Sequence, residues 1–198
     1  MTDRWLDQML KWQIINKDEE DIYRFGLEGM KMKAFHYTTY LIIAVLAGEL
    51  WNFLMFFAAF SALRKNAGGY HAETSKRCYL FSCLTVGGFV LITKTIPIGG
   101  GMCTGLLTVT VISDMILWRL STTGNRNREL DEEEIEKFKK RILLFLLIEN
   151  VVLVSLILLQ REGYAAAVAE AILFETFLVV IEKIRTGNPI KRKKLEYL

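Results

Sequence analysis

Long apolar runs separated by short charged segments are the dominant pattern of this sequence. Four runs of roughly 17–20 residues have the length at which a helix crosses the ~30 Å hydrocarbon core of a bilayer. They lie at about 79–96, 102–120, 142–160 and 164–182. The apolar content of 52% agrees with this pattern, since soluble domains typically have ~45–50%. The sequence therefore predicts an all-α polytopic integral membrane protein that forms a single membrane-embedded domain over 1–198.

The distribution of basic residues predicts which connections share a side of the membrane. Lys and Arg near the ends of spans accumulate on the cytoplasmic side. They are concentrated at 64–77, at 119–141 and in the basic tail 183–198, whereas the connections 97–101 and 161–163 contribute only Arg161. The three basic segments are therefore predicted to be cytoplasmic. Within 119–141 the acidic residues precede the basic ones, which predicts a helix from about Asp131 into the span at Ile142.

A further apolar segment, 35–63, is long for one span and short for two full ones. Gly48 and Glu49 interrupt it near its middle. Two arrangements fit: a short helical hairpin hinged at Gly48, or one long span with the N-terminus outside. The six basic residues of 1–34 favour the hairpin, because it returns the chain to its own side and keeps those residues inside.

The first 34 residues are predicted to form interfacial helices. Trp5, Leu6 and Leu10 share one side of a possible helix, and Asp3, Asp7 and Lys11 lie on the other, which is typical of a helix in the headgroup plane. A second helix is expected over 18–34, where an acidic start suits the positive end of the helix dipole. The basic cluster at 191–194 indicates a contact with anionic lipid. The net charge of +3 is too small to indicate nucleic acid as a partner.

The segment 64–78 holds the candidate chemistry, His71 and Cys78. A nearby histidine, neighbouring cations and a helix N-terminus each lower the pKa of a cysteine thiol. With Ser75 as the N-cap of the next span, Cys78 would occupy the third helical position. Residues seven apart in one helix lie about 10.5 Å apart along its axis. The chain must therefore bend between the two residues, or they must pair across two subunits; an incidental placement of the two residues is the third interpretation.

The other cysteines and the polar residues within the apolar runs allow simpler explanations. Cys83 and Cys103 lie among apolar neighbours and indicate small membrane-buried thiols, with neither a disulfide framework nor a metal site. His36 is interpreted as an interfacial residue. Polar and ionisable groups within spans face protein or water, so they either line a polar cavity, with Lys94 as a possible partner of some of them, or make contacts between helices. These residues are Glu49, Asp114, Glu149, Asn150, Glu170 and Glu175.

Several of these residues form a pattern that resembles the AgrB family, the membrane-embedded cysteine endopeptidases of the accessory gene regulator quorum-sensing systems. The pattern consists of Arg64-Lys65, Gly68-Gly69-Tyr70-His71, Arg77-Cys78 and Ser82. The resemblance extends beyond this segment to Glu49 and to the helix start at Leu130–Glu133. The resemblance implies that Cys78 is the nucleophile and His71 the base, at the cytoplasmic face of the cell membrane, with no cofactor. It also implies an AgrD-type propeptide as substrate, cleavage through an acyl thioester, closure of a thiolactone or lactone, and a homodimer. No third catalytic residue is assigned, although Glu73 is near in sequence.

Two other functions fit parts of the sequence. In a membrane peptide transporter or binding protein, Cys78 would be dispensable and the intramembrane carboxylates essential. A thiol–disulfide oxidoreductase would need Cys78 and Cys83 to bridge.

Overall fold

The computed structural model describes residues 2–70, 74–96, 102–121 and 132–186, and every regular element in these ranges is helical. Besides a single 3-10 turn at Lys17–Glu19, these ranges contain seven helices. They are α1 (Thr2–Lys11), α2 (Glu20–Leu46), α3 (Leu50–Ala67), α4 (Ser75–Thr95), α5 (Met102–Leu120), α6 (Glu132–Leu158) and α7 (Glu162–Thr186). The all-α class predicted from the sequence is confirmed.

Helix α1 is amphipathic and packs against the first part of α2. Leu6 is buried in this contact, while Trp5 remains more than half exposed. Arg24 of α2 binds Asp3 of α1 and also pairs with Glu20 at 2.8 Å. The second predicted helix, 18–34, does not end at 34: α2 continues without a break to Leu46. The predicted end of this helix at residue 34 is therefore wrong. The sequence next to it, Lys31 to Tyr40, contains no glycine or proline that would stop a helix.

The segment 35–63 has the form of a helical hairpin rather than one long span. Helix α2 ends at Leu46 and α3 begins at Leu50. Gly48 takes φ +74° in the turn between them, a left-handed angle that suits glycine. The rings of Tyr37 and Phe57, on either side of the turn, lie 5.4 Å apart. The two helices therefore run back along each other.

Helix α7 lies at the centre of the bundle. About 67% of its apolar window is buried, against 22% for α6 and 11% for α4. Its first half is rich in alanine, and Ala165, Ala166, Ala167, Ala169 and Ala171 are all buried. Small side chains let helix backbones approach closely where lipid offers no hydrophobic driving force. Helices α3, α4, α5 and α6 pack around α7 on this surface.

Helices α3 and α7 run in the same direction at the same height. A side chain at Gly163 would meet Asn52, and Arg64 pairs with Glu175. Both pairs are offset by 111 positions (163 − 52 and 175 − 64), so the register is kept along the whole contact. The end of α3 therefore lies at the same end of the bundle as the end of α7. We call this the basic end, since Arg64, Lys65, Lys183 and Arg185 are located there.

Three of the described helices, α4, α6 and α7, are long and apolar enough to cross a membrane. They correspond to the predicted spans 79–96, 142–160 and 164–182. The predicted span 102–120 coincides with helix α5, but the count of four spans is not confirmed. As predicted, the helix that begins in the charged segment continues without a break into the span 142–160, and together they form α6. The basic cluster 191–194 and most of the segment 121–131 lie outside the described residues.

Most of the polar residues within the bundle make contacts between helices. The Asn150 amide donates to Asp114 at 2.7 Å, and the Thr93 hydroxyl lies 3.5 Å from a carboxylate oxygen of Glu170. Glu175 pairs with Arg64. Glu149 is buried, and its two carboxylate oxygens have no hydrogen-bond partner among the described residues.

Candidate active site

Cys78 lies in the first turn of α4, one position later than the sequence predicted. The N-cap is Thr74, whose side-chain oxygen accepts a hydrogen bond from the Arg77 amide at 3.3 Å. Ser75, the predicted cap, is instead the first helical residue. Cys78 is therefore the fourth helical residue, and its amide already donates to the carbonyl of Thr74 at 2.9 Å. The thiol still lies at the positive end of the helix dipole, but its own amide is not available to a ligand.

The half-buried Cys78 lines a cavity of about 270 Å³ at the basic end of the bundle. Helices α2, α3, α4 and α7 all contribute to its walls. The walls are mostly aromatic, with Tyr37, Tyr40, Phe56, Phe57, Phe60 and Phe81 among the lining residues. Three cations, Lys33, Arg64 and Lys65, also line it. A site of this composition can hold apolar side chains of a peptide beside the thiol while cations face its polar groups.

The short loop Gly68–Tyr70 connects the end of α3 to the segment that contains His71. Gly68 and Gly69 take φ +80° and +98°, left-handed angles that end α3 abruptly. The Tyr70 amide donates to the Leu178 carbonyl of α7 at 3.0 Å, and the Tyr70 ring lies 5.1 Å from that of Phe81. The loop is therefore held against α7 on one side and against α4 on the other.

Arg64 is the residue that fastens this loop. Its guanidinium donates to the Gly68 carbonyl at 2.5 Å and also to the Tyr70 carbonyl. The same guanidinium lies 3.6 Å from a carboxylate oxygen of Glu175, a fully buried residue of α7. One side chain thus joins α3, the loop and α7.

His71 and Glu73 lie outside the described residues, so the structure leaves their side chains untested. It does describe both neighbours of the segment 71–73. Tyr70 lines the same cavity as Cys78, and Thr74 accepts the hydrogen bond from the Cys78 amide. The described residues exclude one continuous helix through His71 and Cys78, because α4 begins only at Ser75 and its N-cap, Thr74, has an extended backbone.

The structure adds His36 and the aromatic wall to the residues near Cys78. His36 lines the cavity, and its ring lies 4.9 Å from that of Tyr79, the residue after Cys78. The sequence alone indicates no more than an interfacial residue at His36. The signal available was its position four residues before Tyr40, on the same face of α2, but the sequence does not show that this face meets α4.

Cys83 is not positioned to form a disulfide with Cys78. Both residues belong to the continuous helix α4, and positions five apart in an α-helix have Cα atoms about 8.6 Å apart. A disulfide requires a separation below about 7 Å. Cys83 packs instead against the main apolar core, as a small buried thiol would. The side chain of Cys103 lies outside the described residues.

Comparisons with known proteins agree with the resemblance seen in the sequence. The family profile described as Accessory gene regulator B matches residues 2–179. A protein of Halalkalibacterium halodurans named as AgrB-like is 24% identical over 140 residues, which covers 71% of this chain and 68% of that protein. No solved structure matches the chain.

Proposed function

The chain belongs to the accessory gene regulator B (AgrB) family of quorum-sensing membrane proteins, and from this premise we propose that it is a cysteine endopeptidase. Its substrate would be an AgrD-type propeptide, the precursor of an autoinducing peptide. Cys78 is the nucleophile and His71 the base and acid. The reaction removes the C-terminal tail of the precursor and promotes cyclisation of the remaining peptide.

In the first step the Cys78 thiolate attacks the carbonyl carbon of the scissile peptide bond. His71 takes the thiol proton beforehand and gives it to the leaving nitrogen as the C–N bond breaks. The tail departs as a free amine, and the peptide stays on Cys78 as an acyl thioester. Atoms and charge balance without any cofactor.

In the second step a cysteine or serine within the bound peptide displaces Cys78. His71 accepts the proton of this internal nucleophile, the new sulfur or oxygen bonds to the acyl carbon, and the bond to Cys78 breaks. The products are a thiolactone or lactone ring and a free enzyme. Exchange of one thioester for another needs little driving force, which suits ring closure by a thiol.

The observation that carries the proposal is the position of Cys78 on the wall of an aromatic cavity, with the His71-bearing chain starting from the same cavity. The cavity lies at the basic end of the bundle, and the excess of Lys and Arg there supports a location at the cytoplasmic face of the cell membrane. A precursor lying along the inner leaflet would reach Cys78 there without crossing the bilayer. From the family we also adopt a homodimer as the working assembly.

Co-expression with an AgrD-type precursor peptide tests this proposal. We expect tail removal by the wild type and none by Cys78→Ala or His71→Ala. Cys83→Ala is the matched control, since it removes a thiol of the same helix and should leave cleavage intact. Cleavage that persists in Cys78→Ala would refute the assignment, and cleavage lost in Cys83→Ala would favour a chemistry that uses both thiols.

A further inference from the structure

Glu175 is a fully buried carboxylate in the interior of the bundle. It lies in α7 among residues such as Phe174, Leu178 and Val179. A buried ion pair is weak support for stability, because apolar side chains of similar volume often replace it without loss. Neither carboxylate oxygen has a hydrogen-bond partner among the described residues. The charged group that faces this carboxylate is the guanidinium of Arg64, 3.6 Å away.

Arg64 uses both terminal nitrogens on the loop beside the candidate active site, and Nη1, the nitrogen close to Glu175, is one of them. Two carbonyls, those of Gly68 and Tyr70, accept hydrogen bonds from its two terminal nitrogens. A guanidinium is a rigid, planar fork with five N–H donors. The Glu175 carboxylate lies 3.6 Å from one of its nitrogens, so it attracts the guanidinium by charge without a hydrogen bond. The charge of Glu175 therefore favours a position of the guanidinium in which both terminal nitrogens reach the loop.

Helix α7 holds the same loop at two further points. The Tyr70 amide donates to the Leu178 carbonyl, and Arg185 lies over the Tyr70 ring at 5.3 Å from its centroid. Gly69 passes so close to α7 that an added Cβ would lie 3.3 Å from the backbone of Leu178 and Val179. The loop is thus fixed on the surface of α7, and the next residue of the chain is His71.

We propose that Glu175 is a positioning residue, which acts through Arg64 to hold the Gly68–Tyr70 loop, and with it the attachment point of His71, in register with Cys78. This inference rests on the proposed function of the Cys78 site and assigns a role to a residue that does not touch the cavity. A side chain in the interior of the bundle would then control the geometry of a reaction at its end.

The proposal predicts that loss of the Glu175 charge slows the chemical step more than it weakens substrate binding. A misplacement of about 1 Å in a catalytic group costs on the order of 100-fold in rate. For Glu175→Gln we expect a fall of about 10- to 100-fold in the rate of Cys78 acylation at saturating precursor. The KM should change less than about 3-fold, because the aromatic walls of the cavity are untouched.

Glu170→Gln is the matched control. Glu170 lies on the same helix and is almost as buried, but its carboxylate faces Thr93 of α4 instead of Arg64. It should retain the wild-type acylation rate.

A double-variant cycle separates positioning from a general loss of stability. If Glu175 acts only through Arg64, the double variant Arg64→Gln/Glu175→Gln should acylate no more slowly than Arg64→Gln alone. Independent destabilisation would instead multiply the two effects. If Glu175→Gln does not accumulate as folded protein, Arg64→Lys takes its place, because lysine keeps the charge beside Glu175 but loses the fork, and the same fall in acylation rate is expected.

Each outcome has a definite meaning. A slowed acylation in Glu175→Gln, with a normal control and a non-multiplicative cycle, supports the proposal. Wild-type acylation in Glu175→Gln, or in Arg64→Lys where that variant is used, overturns it, as does a multiplicative cycle. If the Cys78→Ala protein still cleaves the precursor, the proposed function itself has failed. If Cys78→Ala does not cleave it but Glu175→Gln acylates at the wild-type rate, only the positioning role of Glu175 has failed.

Discussion

Replacing Gly69 by alanine tests most simply whether the loop beside Cys78 must remain docked on α7. Gly69 has φ +98°, which side chains of L-residues rarely adopt. An added Cβ would collide with the Arg64 guanidinium and would lie 3.3 Å from the backbone of both Leu178 and Val179. The arginine can move, but only by breaking the hydrogen bonds that hold the loop, and the backbone of α7 cannot.

Two contributions set the size of the effect. A left-handed backbone costs a non-glycine residue about 1–2 kcal/mol, and overpacking at a tight contact typically costs about 1–3 kcal/mol. Taking the lower limit of both, about 2 kcal/mol, the ratio of docked to undocked loop falls about 30-fold. We expect the acylation rate of Cys78 to fall by up to this factor.

The assay is single-turnover acylation of purified protein by the precursor in nanodiscs. Gly87→Ala is the control, because Gly87 lies in α4 with nothing within 4 Å of its added Cβ. That variant should acylate normally and gain up to about 1 kcal/mol of stability from the better helix propensity of alanine. A Gly69→Ala protein that acylates at the wild-type rate would show that the docked loop is irrelevant to the chemistry.

Two further predictions concern the bundle itself. Phe56→Ala should lower the free energy of unfolding by about 3 kcal/mol, the low end of the range for such a truncation, because the Phe56 ring packs against four other phenylalanines. Unfolding in mixed micelles measures this, and Phe25→Ala, at a largely exposed position, should be near neutral. The hydrogen bond and charge of Arg24 lower the pKa of Asp3 below its ordinary 3.8, so this contact favours docking of α1 above about pH 4 and is lost as the pH falls through the lowered value. This can be measured by fluorescence in a variant whose only tryptophan is Trp5. Its emission should change over that acidic range when Asp3 is present and should not change when Asp3→Asn is added.

Features determined by neighbouring residues could be predicted from the sequence. Gly48 in the middle of an apolar run marks the hairpin, and acids before bases mark the start of α6. Gly68 and Gly69 mark the bend before Cys78. Each signal is local, because a turn or a cap is fixed by backbone angles and side chains within a few positions.

Features that depend on competition or on distant contacts could not be predicted in the same way. Thr74 and Ser75 are both good caps, and only the backbone path decides that the hydroxyl of Thr74 reaches the Arg77 amide. The continuity of α2 could not be predicted, because a helix that lies in the headgroup plane can continue into the bilayer without a break in its backbone. The pairing of Arg64 with Glu175 joins residues 111 positions apart, and no local pattern indicates such a contact.

The central claim, that Cys78 carries the peptide as a thioester, is tested most directly by mapping the adduct. A precursor whose internal cysteine or serine is replaced by alanine cannot close the ring, so the acyl enzyme should accumulate. Trypsin cuts after Arg77 and Lys94, which places Cys78 and Cys83 in one fragment where fragment ions separate them. We predict a hydroxylamine-labile peptide mass on Cys78 and none on Cys83. Tail removal without any adduct on Cys78, or an adduct found only on Cys83, would contradict the account.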